Sequence, residues 1–149
     1  MGINRAEQSI EIPAPPPACF DAIVDFETYP DWQNAVIATE VLDRYDTGLG
    51  KNVRLTVDAR FRDVIYVLLY HYDPPARLWW DFVEGDGVAY IDGEYLFESR
   101  AGTTLATYRL GVDAGVPMPG IVARKLNEVV MRRAVEDLRA EVERRSGDD

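Results

Sequence analysis

Four tyrosines, Tyr66, Tyr70, Tyr95 and Tyr108, carry most of the chemistry this sequence can offer. Each sits in a stretch read as a strand. Parity turns all four toward the same side as Leu55, Val57, Leu68, Trp80, Phe82 and Phe97, with Phe61, Tyr72, Leu78, Leu110 and Val112 in the same phase. A phenol set into an apolar wall can orient a guest through one hydrogen bond, as binding sites with an apolar lining and few polar groups do. It can also polarise a carbonyl or move a proton. The plainer alternative is that the rings only pack, although a core built for packing alone would favour Phe and Leu over Tyr.

Other reactive side chains are placed less favourably. His71, the only histidine, would be the obvious proton-transfer group near neutral pH, but its parity with Ile65, Val67 and Leu69 predicts the outer face. Cys19, the only cysteine, follows a proline-rich stretch and reads as a buried, inert thiol. Glu84, Asp86, Asp92 and Glu94 cluster near one hairpin without calcium-loop spacing, and read as a solvated acidic edge that protects a strand. Arg54 and Arg109 alternate outward. No phosphate-cradling glycine loop, metal-ligand spacing or nucleophile elbow is present, so neither a metal nor a cofactor is expected.

The elements that must position these residues follow from the hydrophobic period. Ser9–Ile12 alternates as a strand, and Pro13 to Pro17 ends it. A short helix is expected over Ala18–Asp25, then a broken second turn through Trp32, because Pro30 disfavours helical angles at Tyr29. Period two then predicts strands over Val36–Tyr45, Val53–Phe61, Val64–Tyr72, Leu78–Glu84, Val88–Glu98 and Thr103–Val112. A turn is expected at Arg62-Asp63, another at Ala101-Gly102, and a bulge at Asp92-Gly93. There is no room for crossover helices, so the sheet reads as an antiparallel meander. From Gly120 to Arg145 the period becomes helical, with Val122, Leu126, Val130, Ala134 and Leu138 forming the stripe expected to be buried. Ser146–Asp149 reads as a frayed tail. A helix of about 25 residues, roughly 38 Å long, needs a surface to lie on, and the concave face of a curved sheet is the candidate. The prediction is a single α+β domain over residues 1–149, with a curved seven-stranded antiparallel sheet around the long helix. Its cavity is expected to be lined by the wall residues together with Leu126 and Val130.

Bulk properties bound the partners. A chain of 149 residues is the usual size of one domain and buries enough surface for a core without staples. Its net charge of −10 argues against nucleic acid, and also against an anionic membrane surface. A lone cysteine, a polar start from Met1 to Gln8 and the lack of any run of about 18 apolar residues lead to a cytoplasmic protein with no stable membrane insertion as the expectation.

Several segments resemble the START-like (SRPBCC) superfamily, the helix-grip or Bet v 1-like fold of polyketide cyclases, lipid-transfer domains and coenzyme Q-binding proteins. They are Ile10-Glu11-Ile12-Pro13-Ala14-Pro15, Phe20 to Phe26, Tyr29-Pro30-Asp31-Trp32, Asp92-Gly93-Glu94-Tyr95, Gly102-Thr103-Thr104, Tyr108-Arg109-Leu110 and Pro117-Met118-Pro119-Gly120. The resemblance spans nearly the whole chain. It implies two short helices after the first strand and a pocket mouth near Trp32, which then acts as a gate or, alternatively, as a plug for the short helices. Function stays open among three readings. The first is a non-catalytic carrier or sensor of a lipid, isoprenoid quinone or polyketide-like molecule. The second is a cyclase or dehydratase that uses Tyr66, Tyr70, Tyr95 and Tyr108. The third is a protein-interaction module that uses the helix or the outer aromatics Trp79 and Tyr90. The first is the leading expectation.

Overall fold

The computed structural model describes residues 2–59 and 62–147, so Phe61 and the last two residues of the expected tail lie outside the described residues. The chain runs β1 (Asn4–Ile12), α1 (Pro16–Ile23), a 3-10 turn (Phe26–Thr28) and α2 (Tyr29–Trp32). It continues through β2 (Val36–Val41), β3 (Asn52–Asp58), β4 (Asp63–Asp73), β5 (Arg77–Asp86), β6 (Tyr90–Arg100) and β7 (Thr103–Asp113) to α3 (Gly120–Gly147). The seven strands form one antiparallel sheet in the order β1-β7-β6-β5-β4-β3-β2. After β1 the short helices carry the chain to the far edge, and β2 to β7 return as a meander that closes against β1. The α+β fold, the strand count and the two short helices are as the sequence predicts.

Several boundaries differ, each for a physical reason. Strand β1 extends back to Asn4 through its pairing with β7, Asn4 opposite Val112; its first inward positions, Asn4, Ala6 and Gln8, are small or polar, so no apolar alternation marks it in the sequence. Strand β2 stops at Val41, and a loop closed by a bridge between Arg44 and Gly50 replaces its expected end. The pairing of β6 with β7 runs unbroken through Asp92 and Gly93, so no bulge lies there. Gly93 serves close packing instead: a Cβ would lie 2.6 Å from the Trp80 ring and 2.5 Å from the Arg109 carbonyl oxygen. Tyr29 is helical despite Pro30. Burial overrides the local bias there, with the Tyr29 hydroxyl donating to the Ile23 carbonyl and its ring between Phe26 and Trp32.

The largest correction concerns α3. Its buried face is Asn127, Met131, Val135, Leu138, Glu141 and Val142. Of the expected stripe, Leu138 is buried and Ala134 half-buried, while Val122, Leu126 and Val130 are 44%, 42% and 51% exposed. The helix packs chiefly on β1, with further contacts to α1, β7 and α2. Its second half therefore seals the core, each fully buried aliphatic contributing about 1.5–3 kcal/mol. In the first half Asn127 and Met131 are buried, the Asn127 amide donating to the Asn4 carbonyl of β1 at 3.4 Å, and the apolar residues around them are exposed. The helix also continues through Ser146, where a frayed tail was expected.

Candidate functional site

Paired residues in an antiparallel ladder point to the same face, so register alone assembles the wall. Tyr95 faces Tyr108, Gly93 faces both Leu110 and Trp80, Trp80 faces Tyr70, and Tyr66 faces Leu55. The rings form a continuous array. Trp80 lies 5.6 Å from Tyr70, 6.2 Å from Tyr95 and 5.9 Å from Tyr108, and Tyr95 lies 5.8 Å from Phe97. Leu55, Leu68, Tyr70, Trp80, Tyr95 and Phe97 are buried, while Val57, Tyr66, Phe82 and Tyr108 are half-buried.

The polar groups of this wall set it apart from ordinary core. Four of the eight tyrosines use their hydroxyls structurally: Tyr29 on the Ile23 carbonyl, Tyr45 on the Tyr70 carbonyl, Tyr72 on the Gly50 carbonyl and Tyr90 on Asp92. The other four, Tyr66, Tyr70, Tyr95 and Tyr108, donate to no carbonyl or carboxylate among the described residues. Two wall atoms, Trp80 Nε1 and Tyr95 Oη, are fully buried with no hydrogen-bond partner among the described residues. Buried polar groups of that kind are rare and call for an explanation, since each costs about 1–3 kcal/mol. Burial also holds the phenols neutral. It pushes Tyr66 up to about 12 and raises Tyr70, Tyr95 and Tyr108 as well, with neighbouring tyrosines adding to the effect. At neutral pH they are donors and weak acceptors, not bases.

No histidine serves the wall. His71 lies on the convex face, as its parity predicts, bonded to Asp81 at 2.8 Å and stacked on Trp79. The carboxylate whose charge acts on Tyr95 is Asp137 of α3. It is bonded by the Asn34 backbone N–H at 3.0 Å and by the Asn34 side-chain amide at 2.9 Å. Sequence reading missed this pair, because the two residues are 103 positions apart and neither is unusual locally.

The acidic hairpin is not uniformly solvated. Asp92 accepts from Arg5 and Tyr90, and Glu94 from Arg77 and Arg109, which hold both carboxyls below their usual range. These pairs floor a cleft of about 540 Å³ on the convex face, with Arg77 stacked 4.2 Å over Trp79. Among the described residues no cluster has the composition of a metal site.

Trp32 joins the aromatic wall through Tyr29 and Phe26, with ring centroids 5.2 Å apart for Trp32 and Tyr29, 5.3 Å for Tyr29 and Phe26, and 4.7 Å for Phe26 and Tyr70. It lines a second cleft of about 460 Å³ with Thr28, Asp31, Asp137, Ala140, Glu141 and Arg144, and its Nε1 donates to Thr28 Oγ1 at 2.9 Å. Leu126 and Val130 lie on the same helical stripe as Asp137, eleven and seven residues before it, and so on the side of α3 turned toward Asn34. Both are exposed, at 42% and 51%. The arrangement is a continuous aromatic wall whose Leu55, Tyr70, Trp80, Tyr95 and Phe97 are buried and whose Val57, Tyr66, Phe82 and Tyr108 are half-buried, while Leu126 and Val130 of α3 are exposed.

A curved antiparallel sheet, a long C-terminal helix and short helices after the first strand define a START-like (SRPBCC, Bet v 1-type) protein. The family profile described as polyketide cyclase / dehydrase and lipid transport matches residues 4–143, and the chain belongs to that family. Solved structures share the fold at low identity. A START superfamily protein from Mycobacterium smegmatis is 21% identical with a TM-score of 0.88, over 96% of this chain and 99% of that one. The Zhui aromatase/cyclase from Streptomyces sp. R1128 is 20% identical with a TM-score of 0.79, over 97% and 96%. The di-domain aromatase/cyclase StfQ of the steffimycin pathway is 16% identical with a TM-score of 0.72, over 95% of this chain and 46% of that one. No curated protein sequence matches the chain. Among the described residues no helix is long and apolar enough to cross a membrane.

Proposed function

We propose that this protein binds an apolar small molecule, with at least one hydrogen-bond acceptor, in a trough that opens between the aromatic wall of the sheet and α3, as a carrier or sensor. One observation carries the reading: Trp80 Nε1 and Tyr95 Oη, both able to donate, are buried and unpartnered within a single aromatic wall. A carbonyl or ether oxygen on a lipid, quinone or polyketide-like guest would complete them, and the surrounding rings would supply the buried area. Wall tyrosines held neutral, with His71 on the far face, favour holding a guest over moving its protons.

The four unbonded hydroxyls equally support a second reading, a cyclase or dehydratase that positions a poly-β-carbonyl chain and polarises it with phenols. Tyr→Phe changes separate the two. In a carrier, Tyr66→Phe, Tyr70→Phe, Tyr95→Phe and Tyr108→Phe each lose one hydrogen bond and weaken binding about 2- to 13-fold, with no turnover of a polyketide-like substrate. In an enzyme, one of them lowers a measurable rate about 10²- to 10³-fold while binding persists. Native mass spectrometry of protein purified from its own host, followed by solvent extraction, identifies the guest. Protein that carries no adduct and binds no lipid, quinone or polyketide-like compound would remove the carrier reading.

A further inference from the structure

The first half of α3 is apolar on the side facing away from the fold. Val122 and Val129 lie about 180° and 200° around the helix from the buried Met131. Val122 and Val129 are 44% and 48% exposed, and Ile121, at the start of the helix, is 78% exposed. Val116, in the loop that leads into the helix, adds to the same region. A helix that served only to cover a core would present polar residues outward.

Charge is distributed just as unevenly. The chain carries −10 overall, yet residues 120–133 hold Arg124, Lys125, Arg132 and Arg133 against one carboxylate, Glu128. All four cations are exposed, and among the described residues none is in an ion pair. Elsewhere arginines are paired as a rule: Arg5, Arg44, Arg54, Arg77, Arg109, Arg139, Arg144 and Arg145 all have carboxylate partners. Exposed aliphatics interleaved with unpaired cations ask for a partner that is both apolar and anionic.

We propose that this half of α3, with the loop before it, docks on the surface of an anionic lipid bilayer. The helix lies in the headgroup plane, Val122, Val129 and Ile121 enter the acyl boundary, and Lys125, Arg132 and Arg133 meet lipid phosphates and carboxylates. The net charge that argued against membranes does not decide the matter. Acidic residues more than a Debye length away, roughly 8 Å in physiological salt, are largely screened, so the four cations set against Glu128 and the neighbouring Glu136 govern. A second copy of the chain fits less well, because a two-fold contact through this face sets cations against cations. An acidic protein also fits less well, because protein interfaces draw on Tyr, Trp and Met, and this patch is aliphatic. The inference stands apart from the guest: docking requires nothing to be bound in the trough.

The test is flotation of the full chain with phosphatidylcholine vesicles, with and without phosphatidylserine. Binding should require phosphatidylserine and weaken as salt rises. The double variant K125Q/R132Q should bind about thirtyfold more weakly, near fivefold for each cation, and V122S/V129S about tenfold more weakly. Both should keep the wild-type circular dichroism spectrum and melt within a few degrees of it, since the side chains are exposed. Three results would each overturn the proposal: no binding to either vesicle, binding indifferent to phosphatidylserine, or retention on polyglutamate without retention on vesicles. So would concentration-dependent dimerisation that V122S/V129S abolishes while vesicle binding is unchanged.

Discussion

Tyr95 and Tyr108 stack across the β6–β7 pair with ring centroids 4.4 Å apart and planes within 5° of parallel. The stack fixes where two of the four unbonded hydroxyls sit, and Tyr95 Oη is held there at the cost of a buried donor without a partner. Tyr95→Phe removes that penalty and keeps the stack. In the unliganded protein it should be neutral or raise stability by about 1 kcal/mol, whereas Tyr95→Ala should cost about 3–5 kcal/mol. Urea unfolding of both variants checks the pair. A Tyr95→Phe variant less stable by several kcal/mol would mean that the hydroxyl already has a partner.

Alkaline pH should unfold the domain through its wall. Tyrosine normally titrates near 10, and burial raises Tyr66 to about 12, with Tyr70, Tyr95 and Tyr108 also raised. A group with a raised folded pKa contributes stability that is complete below its unfolded pKa and is lost as pH rises toward the folded value. Stability should therefore hold below about pH 10 and fall between about 10 and 12. Phenolate absorbance from these tyrosines should appear together with the loss of far-UV circular dichroism. Phenolate signal from all eight tyrosines near pH 10, with the fold intact, would show that the wall is open to solvent.

The two halves of α3 should respond oppositely to truncation. Leu126→Ala and Val130→Ala remove exposed side chains and should change stability by no more than about 0.5 kcal/mol. Met131→Ala creates a cavity at a fully buried site and should cost about 2–5 kcal/mol. If the trough binds a guest, the first two variants weaken that binding while leaving the urea midpoint in place.

Glu141 should govern part of the acid limb. Its side chain is 4% exposed and accepts from Arg144 and Arg145, and Arg145 in turn reaches Asp25 near the end of α1. Hydrogen bonds from Arg144 first, then from Arg145, outweigh burial and hold its pKa below the usual 4.5. A lowered folded pKa gives stability that is present above the unfolded value and is lost as pH falls through the folded one. Glu141→Gln should therefore flatten the loss of stability below about pH 4.5. Thermal melts across that range read it directly.

The β6–β7 turn offers a stabilising change. Ala101 has φ 48° and Gly102 φ 95°, the left-handed pair of a two-residue hairpin turn, and alanine is the poorer fit at the first position. Ala101→Asn or Ala101→Gly should raise the melting temperature by a few degrees, and an unchanged or lower value would show that the turn is not strained.

The sequence by itself determined which residues share a face. Period two over β3 to β7 put Tyr66, Tyr70, Tyr95 and Tyr108 on one wall and His71, Trp79 and Arg109 on the other, because side chains on a pleated strand alternate whatever the fold around them. It also determined that a long helix follows the sheet, since four-residue spacing of apolar groups persists from Val122 to Leu138. Only the tertiary structure decided which side of that helix is covered. Four-residue spacing winds around the helix by about 40° per step, so Val122 lies about 160° from Leu138, and the spacing alone cannot report which part of that row the sheet covers. The same limit hid Asp137 and Asn34, whose contact joins positions 103 apart, and the splay of β5 from β6 beyond Trp80 and Gly93. Local periodicity is set by bond geometry within one element, whereas coverage, splay and pairing depend on where the other elements come to rest.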